Sequence, residues 1–432
     1  MKSIIPGLVF FIVLVIGLPV ASLANDSTKL SHSKKEIAEV SIKLPAGFNA
    51  VAIVPELGKN RHIAIHPNGT IYVKLARLKD GKGILVLRDN NNDGKPELLN
   101  SFGDYAGTGI QIKNGYLYAS SNDDVFRYKL NDQGEVVNPT APEKIITGLV
   151  NKRQHESKSI ALDNEGNIYV NIGAPSNSCQ EKDRAKGSLG QSPCPILETA
   201  GGIWQFKADK LNQSYADGVR YATGIRNIVG LDWNNADNQL YAMQHGRDGL
   251  NTMFPELFNE EQSAEIPAEE MFLVKKGSDF GWPYCYFDPL QKKKVLAPEY
   301  GGDGKKQDRC EGVGKPIMAF PGHWAPNAML FYTGNAFPEK YKNGAFIAFH
   351  GSWNRAPLKQ KGYNVVFVPF KNGKPTGEYE VFADGFMGAE EINSPGQAQH
   401  RPCGLAQGPD GSLYISDSVK GTIWKISYNK NL

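Results

Sequence analysis

The side chains able to do chemistry are scattered along the chain. Eight histidines occur, His32, His62, His66, His155, His245, His323, His350 and His400. No HExxH motif or closely spaced pair among them marks a hydrolytic metal. His155, in NKRQHESKSIALD, stands at the entrance of a strand. It is either a satisfied structural imidazole or a general base, since imidazole titrates near neutrality. TGIRN at 223–227 puts Arg226 and Asn227 just ahead of an apolar strand. There Arg226 serves a surface or inter-blade ion pair or, turned inward, offers its fork to a carboxylate or a developing oxyanion.

The motif YAMQHGRDG at 241–249 ends a strand in a Gly-rich turn. The main-chain carbonyls of such a turn suit a hard cation such as calcium, which takes oxygen ligands. HGSWNR at 350–355 and DFGWPYC at 279–285 combine aromatics with turn residues. Each is either packing or, through Trp353 and Arg355, the aromatic face and cation that a flat anionic cofactor needs. DNNNDGKPE at 89–97 resembles the first half of a calcium loop, but its twelfth position is Asn100 rather than Glu. A structural calcium site and a plain polar hairpin both fit that pattern.

The elements that must position these residues repeat. Alternating apolar residues, a polar turn with Gly or Asn, and a second strand carrying an aromatic recur at 61–75, 108–121, 158–173, 229–246, 329–351 and 404–417. The turns HPNG, KNG, NEG and PDG supply residues for positive φ, so each copy reads as a hairpin. A further strand follows several copies, at 124–131, 201–208, 363–370 and 421–428. Six such units predict an all-β, six-bladed β-propeller. The uneven spacing puts long loops on one face, where they can build a site over the channel. Residues 39–54 read as strands that close the ring with the last blade.

Composition narrows the setting. A formal net charge of +3 is too small to imply nucleic acid. Lys2, an apolar stretch over residues 4–20 and small residues at 21–24 predict a cleavable signal peptide at 1–24. The apolar run is short for a bilayer span, which needs roughly 20 residues. A single propeller domain over 25–432 is expected, periplasmic or secreted, without stable membrane insertion after cleavage. Five cysteines fit export: Cys179 with Cys194 and Cys285 with Cys310 bracket polar loops that a disulfide would staple. Cys403 is left as a buried or a reactive thiol.

Taken in order, RQHESKSIALDNEGNIYVNIG, SNSCQEKDRAKGSLGQSPC, TGIRNIVGLDW, HGRDG, DFGWPYCY, FHGSWNR and HRPCGLAQGPDGSLYISD span roughly residues 45–428. This series resembles the soluble pyrroloquinoline quinone (PQQ)-dependent sugar dehydrogenases, particularly the sorbosone dehydrogenase branch. The resemblance implies an oxidoreductase acting on an aldose or sugar-derived aldehyde, with PQQ and calcium as cofactors and a separate electron acceptor. It implies His155 as the base and Arg226 and Asn227 as quinone contacts. Main-chain carbonyls of Gly246 and Arg247 would serve calcium, and His350, Trp353, Arg355 and Arg401 would line the cofactor. Gln154 stands where the glucose-oxidising members carry Asp, and HGSWNR lacks their Lys. The competing classes are a non-catalytic propeller that binds glycans or proteins and a calcium-dependent, lactonase-like hydrolase.

Overall fold

Each of the six repeated hairpins becomes the inner pair of strands of a blade. The computed structural model describes Met1 and residues 41–430. The described residues 41–430 belong to one compact unit. The expected signal peptide at 1–24 and the start of a mature domain at 25 lie outside the described residues.

Blade 1 runs from Asn60–Ile65 to Glu97–Phe102, and blade 2 from Ile110–Lys113 to Glu143–Ile146. Blade 3 starts at Ile160–Leu162 and gains a short parallel fifth strand, Ser278–Asp279, beyond Val219–Thr223. Blades 4 and 5 start at Ile228–Asn234 and Pro326–Phe331. Blade 6 takes its three inner strands from the C-terminal region and its outermost strand, Phe48–Val54, from the N-terminal side. That strand pairs antiparallel with Ile423–Tyr428 and closes the ring as the sequence predicts.

Alternation explains the layers. Apolar side chains of each blade bury against the next, as where Phe346, Phe382 and Trp424 share one cluster between blades 5 and 6. A wholly buried side chain such as Phe346 is worth about 3 kcal/mol over exposure. Ring closure adds polar stitches: Asn60 Nδ2 donates to Gly421 O at 2.9 Å, and Ser416 Oγ to Arg61 O at 2.7 Å.

The long insertions share an end of the propeller for a topological reason. An antiparallel hairpin brings the start of its first strand beside the end of its second, as Ile228 opposite Gln244 and Pro402 opposite Asp417. Residues just before inner strands and just after second strands therefore meet at one mouth of the channel. Both expected disulfides form, Cys179–Cys194 and Cys285–Cys310, and Cys403 is a buried free thiol. At 89–94 the side chain of Asp89 accepts from the backbone N–H of Asp93 and Gly94, so it serves its own turn.

Candidate active site

At that mouth lies a cavity of about 600 Å³. Its walls include His155 from before blade 3, Arg226 and Asn227 from before blade 4, and His245 with Gly246 from the end of the next strand. His350 and Trp353 join them from the loop after the second strand of blade 5. The expected site residues His155, Arg226, Asn227, Gly246, His350 and Trp353 thus share one cavity. Arg247, Arg355 and Arg401 do not line it.

His155 donates from Nδ1 to the Ala174 carbonyl at 2.5 Å. A carbonyl only accepts, so Nδ1 carries the proton and Nε2 keeps its lone pair. Nε2 has no hydrogen-bond partner among the described residues. Burial, and then the charge of Arg226, lower the imidazole to a pKa of about 3. The backbone here is unusual: Gln154, His155, Arg184, His323 and Ala325 all line the cavity and all have positive φ, from 54° to 76°. Left-handed backbone in side-chain-bearing residues costs energy and concentrates at functional sites. Gly173 shows how tight the packing is, since a Cβ there would sit 2.6 Å from His155 O and 2.7 Å from Asn227 Oδ1.

Arg226 is held from two sides. Its Nη1 donates to Gly246 O at 2.8 Å and its Nη2 to Asp248 Oδ2 at 2.7 Å. Asp248 also accepts from Arg184 Nη2 at 2.9 Å and from Asn354 Nδ2 at 2.7 Å. Against burial that pushes the other way, Arg226, His323 at 3.7 Å and Arg184 hold its carboxyl well below the usual range. Glu269 accepts the backbone N–H groups of Gly246 and Ala325, and burial raises it to about 7. The Cys179–Cys194 insert joins the wall through Arg184, while its Asp183 accepts from Gln154 Nε2 at 2.8 Å.

The residues outside the cavity are committed elsewhere. Arg355 is 1% exposed, paired with Glu265 at 2.6 Å and bonded to Ala264 O and Lys359 O. Arg401 donates to the carbonyls of His350 and Gly351 and stands 5.5 Å from the Trp353 ring. It braces the HGSW turn from behind. The Arg247 side chain turns to the buried Glu299. Sequence reasoning did not single out Arg61, Arg184, Asp248 or Glu269, although the first three sit inside motifs already noted. A charged residue beside the start of an inner strand or the end of its partner is the signal that finds Arg61 and Asp248.

The cavity suits a flat anion. It offers guanidinium groups from Arg61, Arg184 and Arg226, a Trp353 indole 64% exposed at the rim, and buried Nε atoms of Arg61 and Arg226 that lack partners. It suits a bare hard cation less well. The Gly246 carbonyl already accepts from a guanidinium, and among the described residues no cluster of three or more His, Cys, Asp or Glu could hold a metal.

Comparison with known proteins places the fold. The family model TrAA12-like matches residues 42–429. A "pyrroloquinoline quinone-dependent sugar dehydrogenase" of Hypocrea jecorina is 21% identical over 336 residues, covering 74% of this chain and 73% of its own. A calcium structure of a Trichoderma reesei carbohydrate-active enzyme of family AA12 matches at a TM-score of 0.72 and 20% identity, over 91% of this chain and 98% of the other. The holo PQQ domain of Coprinopsis cinerea pyranose dehydrogenase matches at 0.70 and 20% identity, over 90% and 97%. The superfamily expected from the motifs is therefore met, without the sorbosone branch being singled out. Since the match runs from the ring-closing strand through the last blade, the chain belongs to the TrAA12-like family.

Proposed function

We propose that this chain is a quinoprotein dehydrogenase that oxidises an aldose or a sugar-derived aldehyde. The observation that carries the reading is His155 and Arg226 in one cavity, with the unprotonated Nε2 of His155 free of a partner among the described residues. When bound, PQQ supplies a two-electron acceptor for the hydride leaving the substrate carbon. His155 Nε2 takes the hydroxyl proton as that hydride departs. The Ala174 carbonyl keeps the ring oriented and its other nitrogen protonated, so the base stays in the useful tautomer.

A pKa of about 3 makes the imidazole neutral at ordinary pH but a weak base. An anion in the cavity offsets the charge of Arg226 and strengthens that base, tying proton removal to cofactor binding. Arg226 and Asn227 hold the cofactor's polar edge, and Trp353 gives its ring system an aromatic face. The His350 backbone carbonyl accepts from Arg401 Nε, which keeps the Trp353 loop in place. Gly246 and Arg247 carbonyls are the candidates for calcium, and Arg226 occupies the first of them in the cofactor-free cavity.

Electrons would leave to a separate acceptor. Export to the periplasm or medium accords with two disulfides, which form and persist in oxidising compartments. Among the described residues no helix is long and apolar enough to cross a membrane. The test is reconstitution of the apo-protein with PQQ and calcium, followed by dye reduction over a panel of aldoses. Reduction that disappears in His155→Ala supports the reading, and no reduction with any sugar sinks it.

A further inference from the structure

The channel has a second opening, at the end away from His155. Inner strands begin at the catalytic mouth and run toward their hairpin turns, so their last residues surround the far end. Two adjoining cavities lie there, of about 220 Å³ and about 180 Å³, and Gln111, Asp232, Leu330 and Gln407 line both. Neither shares a lining residue with the mouth cavity. Together they reach the roughly 300 Å³ at which small-molecule pockets begin.

The polar side chains of this opening come from the inner strands of blades 2, 4 and 6, alternate blades of the ring. A neighbouring blade orients each amide. Gln111 Oε1 accepts from the Leu162 backbone N–H at 3.0 Å, and Gln407 Oε1 from that of Thr333 at 2.9 Å. With the oxygens fixed, the N–H donors of both amides have no partner among the described residues. Asp232 accepts one backbone N–H on each oxygen, from Trp233 at 2.9 Å and from Phe331 at 2.8 Å. Each oxygen keeps a further lone pair. Asp232 makes no ion pair among the described residues, because Lys113 at the same rim gives its ammonium to Asn164 Oδ1 at 2.6 Å.

This donor set selects against charge. A cation would meet the N–H groups of two amides, and an anion would meet Asp232. A hydroxyl both donates and accepts, so adjacent hydroxyls answer both kinds of group. Ile65 and Ile112, each half-buried, add an apolar wall for a C–H face. We infer that the far end of the channel is a non-catalytic site for a neutral polyhydroxylated molecule of monosaccharide size, with Gln111 and Gln407 as donors and Asp232 as acceptor. The site stands apart from the quinone reading, since none of its residues lines the mouth cavity.

The experiment is a saturation-transfer NMR titration of the full, cofactor-free chain. Its probes are methyl α-D-glucopyranoside and myo-inositol, which are neutral, and ethanolammonium, which is a cation. The neutral probes should bind saturably, and equally well to Trp353→Ala, a change at the opposite mouth. Gln407→Glu keeps the oxygen that Thr333 holds but exchanges the N–H donors for an acceptor near Asp232. It should weaken the neutral probes tenfold or more. Absence of binding by both neutral probes overturns the inference, as does binding that ignores Gln407→Glu or disappears in Trp353→Ala. Preference for ethanolammonium overturns it too. Dye reduction is not part of the readout, so this inference and the quinone reading fail separately. Should Gln407→Glu not fold, crystals of the unaltered protein soaked in an iodinated methyl glucoside decide the matter. Anomalous iodine signal beside Gln111 and Gln407 upholds the inference, and signal at the mouth alone or nowhere overturns it.

Discussion

Arg226 Nη2 lies 2.7 Å from Asp248 Oδ2, and the same carboxylate oxygen takes Arg184 Nη2 at 2.9 Å. One side chain thus joins the turn before blade 4 to the disulfide-stapled insert of blade 3, and its other oxygen reaches Asn354 of the blade 5 loop. The side chains of Arg226 and Asp248 are 4% and 16% exposed, so the pair is little screened by water.

Asp248→Asn should therefore cost stability as well as affinity. It keeps the shape but leaves two guanidinium groups without their counter-charge. Removing one partner of a buried pair costs roughly 3–5 kcal/mol, and the open cavity places this case toward the lower end. The midpoint of thermal unfolding should fall by several degrees. A midpoint equal to that of the unaltered protein would show that Asp248 is solvated and binds the three elements weakly.

Stability should decline on acidification below about pH 6.5, the ordinary imidazole value. Burial lowers His62 and His245 to about 4, His155 to about 3, and His350 well below the ordinary value of 6.5. These imidazoles are neutral when folded and take up protons when unfolded, so their stabilisation is present above pH 6.5 and is lost as pH falls below it. Glu269 and Asp232, both raised to about 7, act in the opposite sense, because the folded state retains protons that the unfolded state has released. Glu270, also raised by burial, joins them, and His323, raised beside Asp248, is charged in both states at that pH; four imidazoles against three carboxylates leave a net uptake of about one to two protons on unfolding near pH 5. At about 1.4 kcal/mol per proton per pH unit, the slope is about 1 to 3 kcal/mol per pH unit. Urea midpoints at pH 5 and pH 7 measure it, and a midpoint at pH 5 equal to or above that at pH 7 contradicts the assignment.

Legibility followed the balance of local and non-local causes. The two inner strands of every blade were readable because turn residues and period-2 alternation are local, as in Ile160–Leu162 and Asn167–Ile172 around the NEG turn. Outer strands such as Glu97–Phe102 were not, since four of its first residues face solvent and carry no apolar pattern. In the site, His155 and Arg226 stood out by place in a motif. Arg355 and Arg401 fall outside the cavity because sequence shows a cation but not its partner, and those partners, Glu265 and the His350 carbonyl, lie 90 and 51 residues away. Arg184 was hidden in an insert whose path depends on its disulfide and on left-handed backbone at the residue itself.

Calcium should need the quinone. Arg226 Nη1 donates to Gly246 O at 2.8 Å, and a guanidinium on a carbonyl repels a second cation from it. Calcium titrated into the cofactor-free protein should give no binding heat at this site, whereas Arg226→Ala should gain weak binding. Tight uptake by the unaltered, cofactor-free protein would mean that Arg226 releases the carbonyl readily.

The insert closed by Cys179–Cys194 should matter more for rate than its distance along the chain suggests. Its two cysteines are 15 positions apart, and closing a loop of about that length contributes up to about 3 kcal/mol in the chain-entropy account. Its Asp183 accepts from Gln154 beside the base and from Ser176 Oγ, and its Arg184 reaches both Gln154 and Asp248. Gln154 and His155 hold positive φ, a conformation that persists only where the surroundings enforce it. Loosening the insert by Cys179→Ser with Cys194→Ser should let that turn relax and carry Nε2 away from its place. Turnover should then drop by about tenfold or more, since small misplacements of a catalytic group are costly. Asp183→Asn, with the disulfide intact, should reproduce part of that loss while leaving the unfolding midpoint nearly unchanged. If instead the double variant unfolds earlier yet turns over at the original rate, the insert stabilises the mouth without positioning the base.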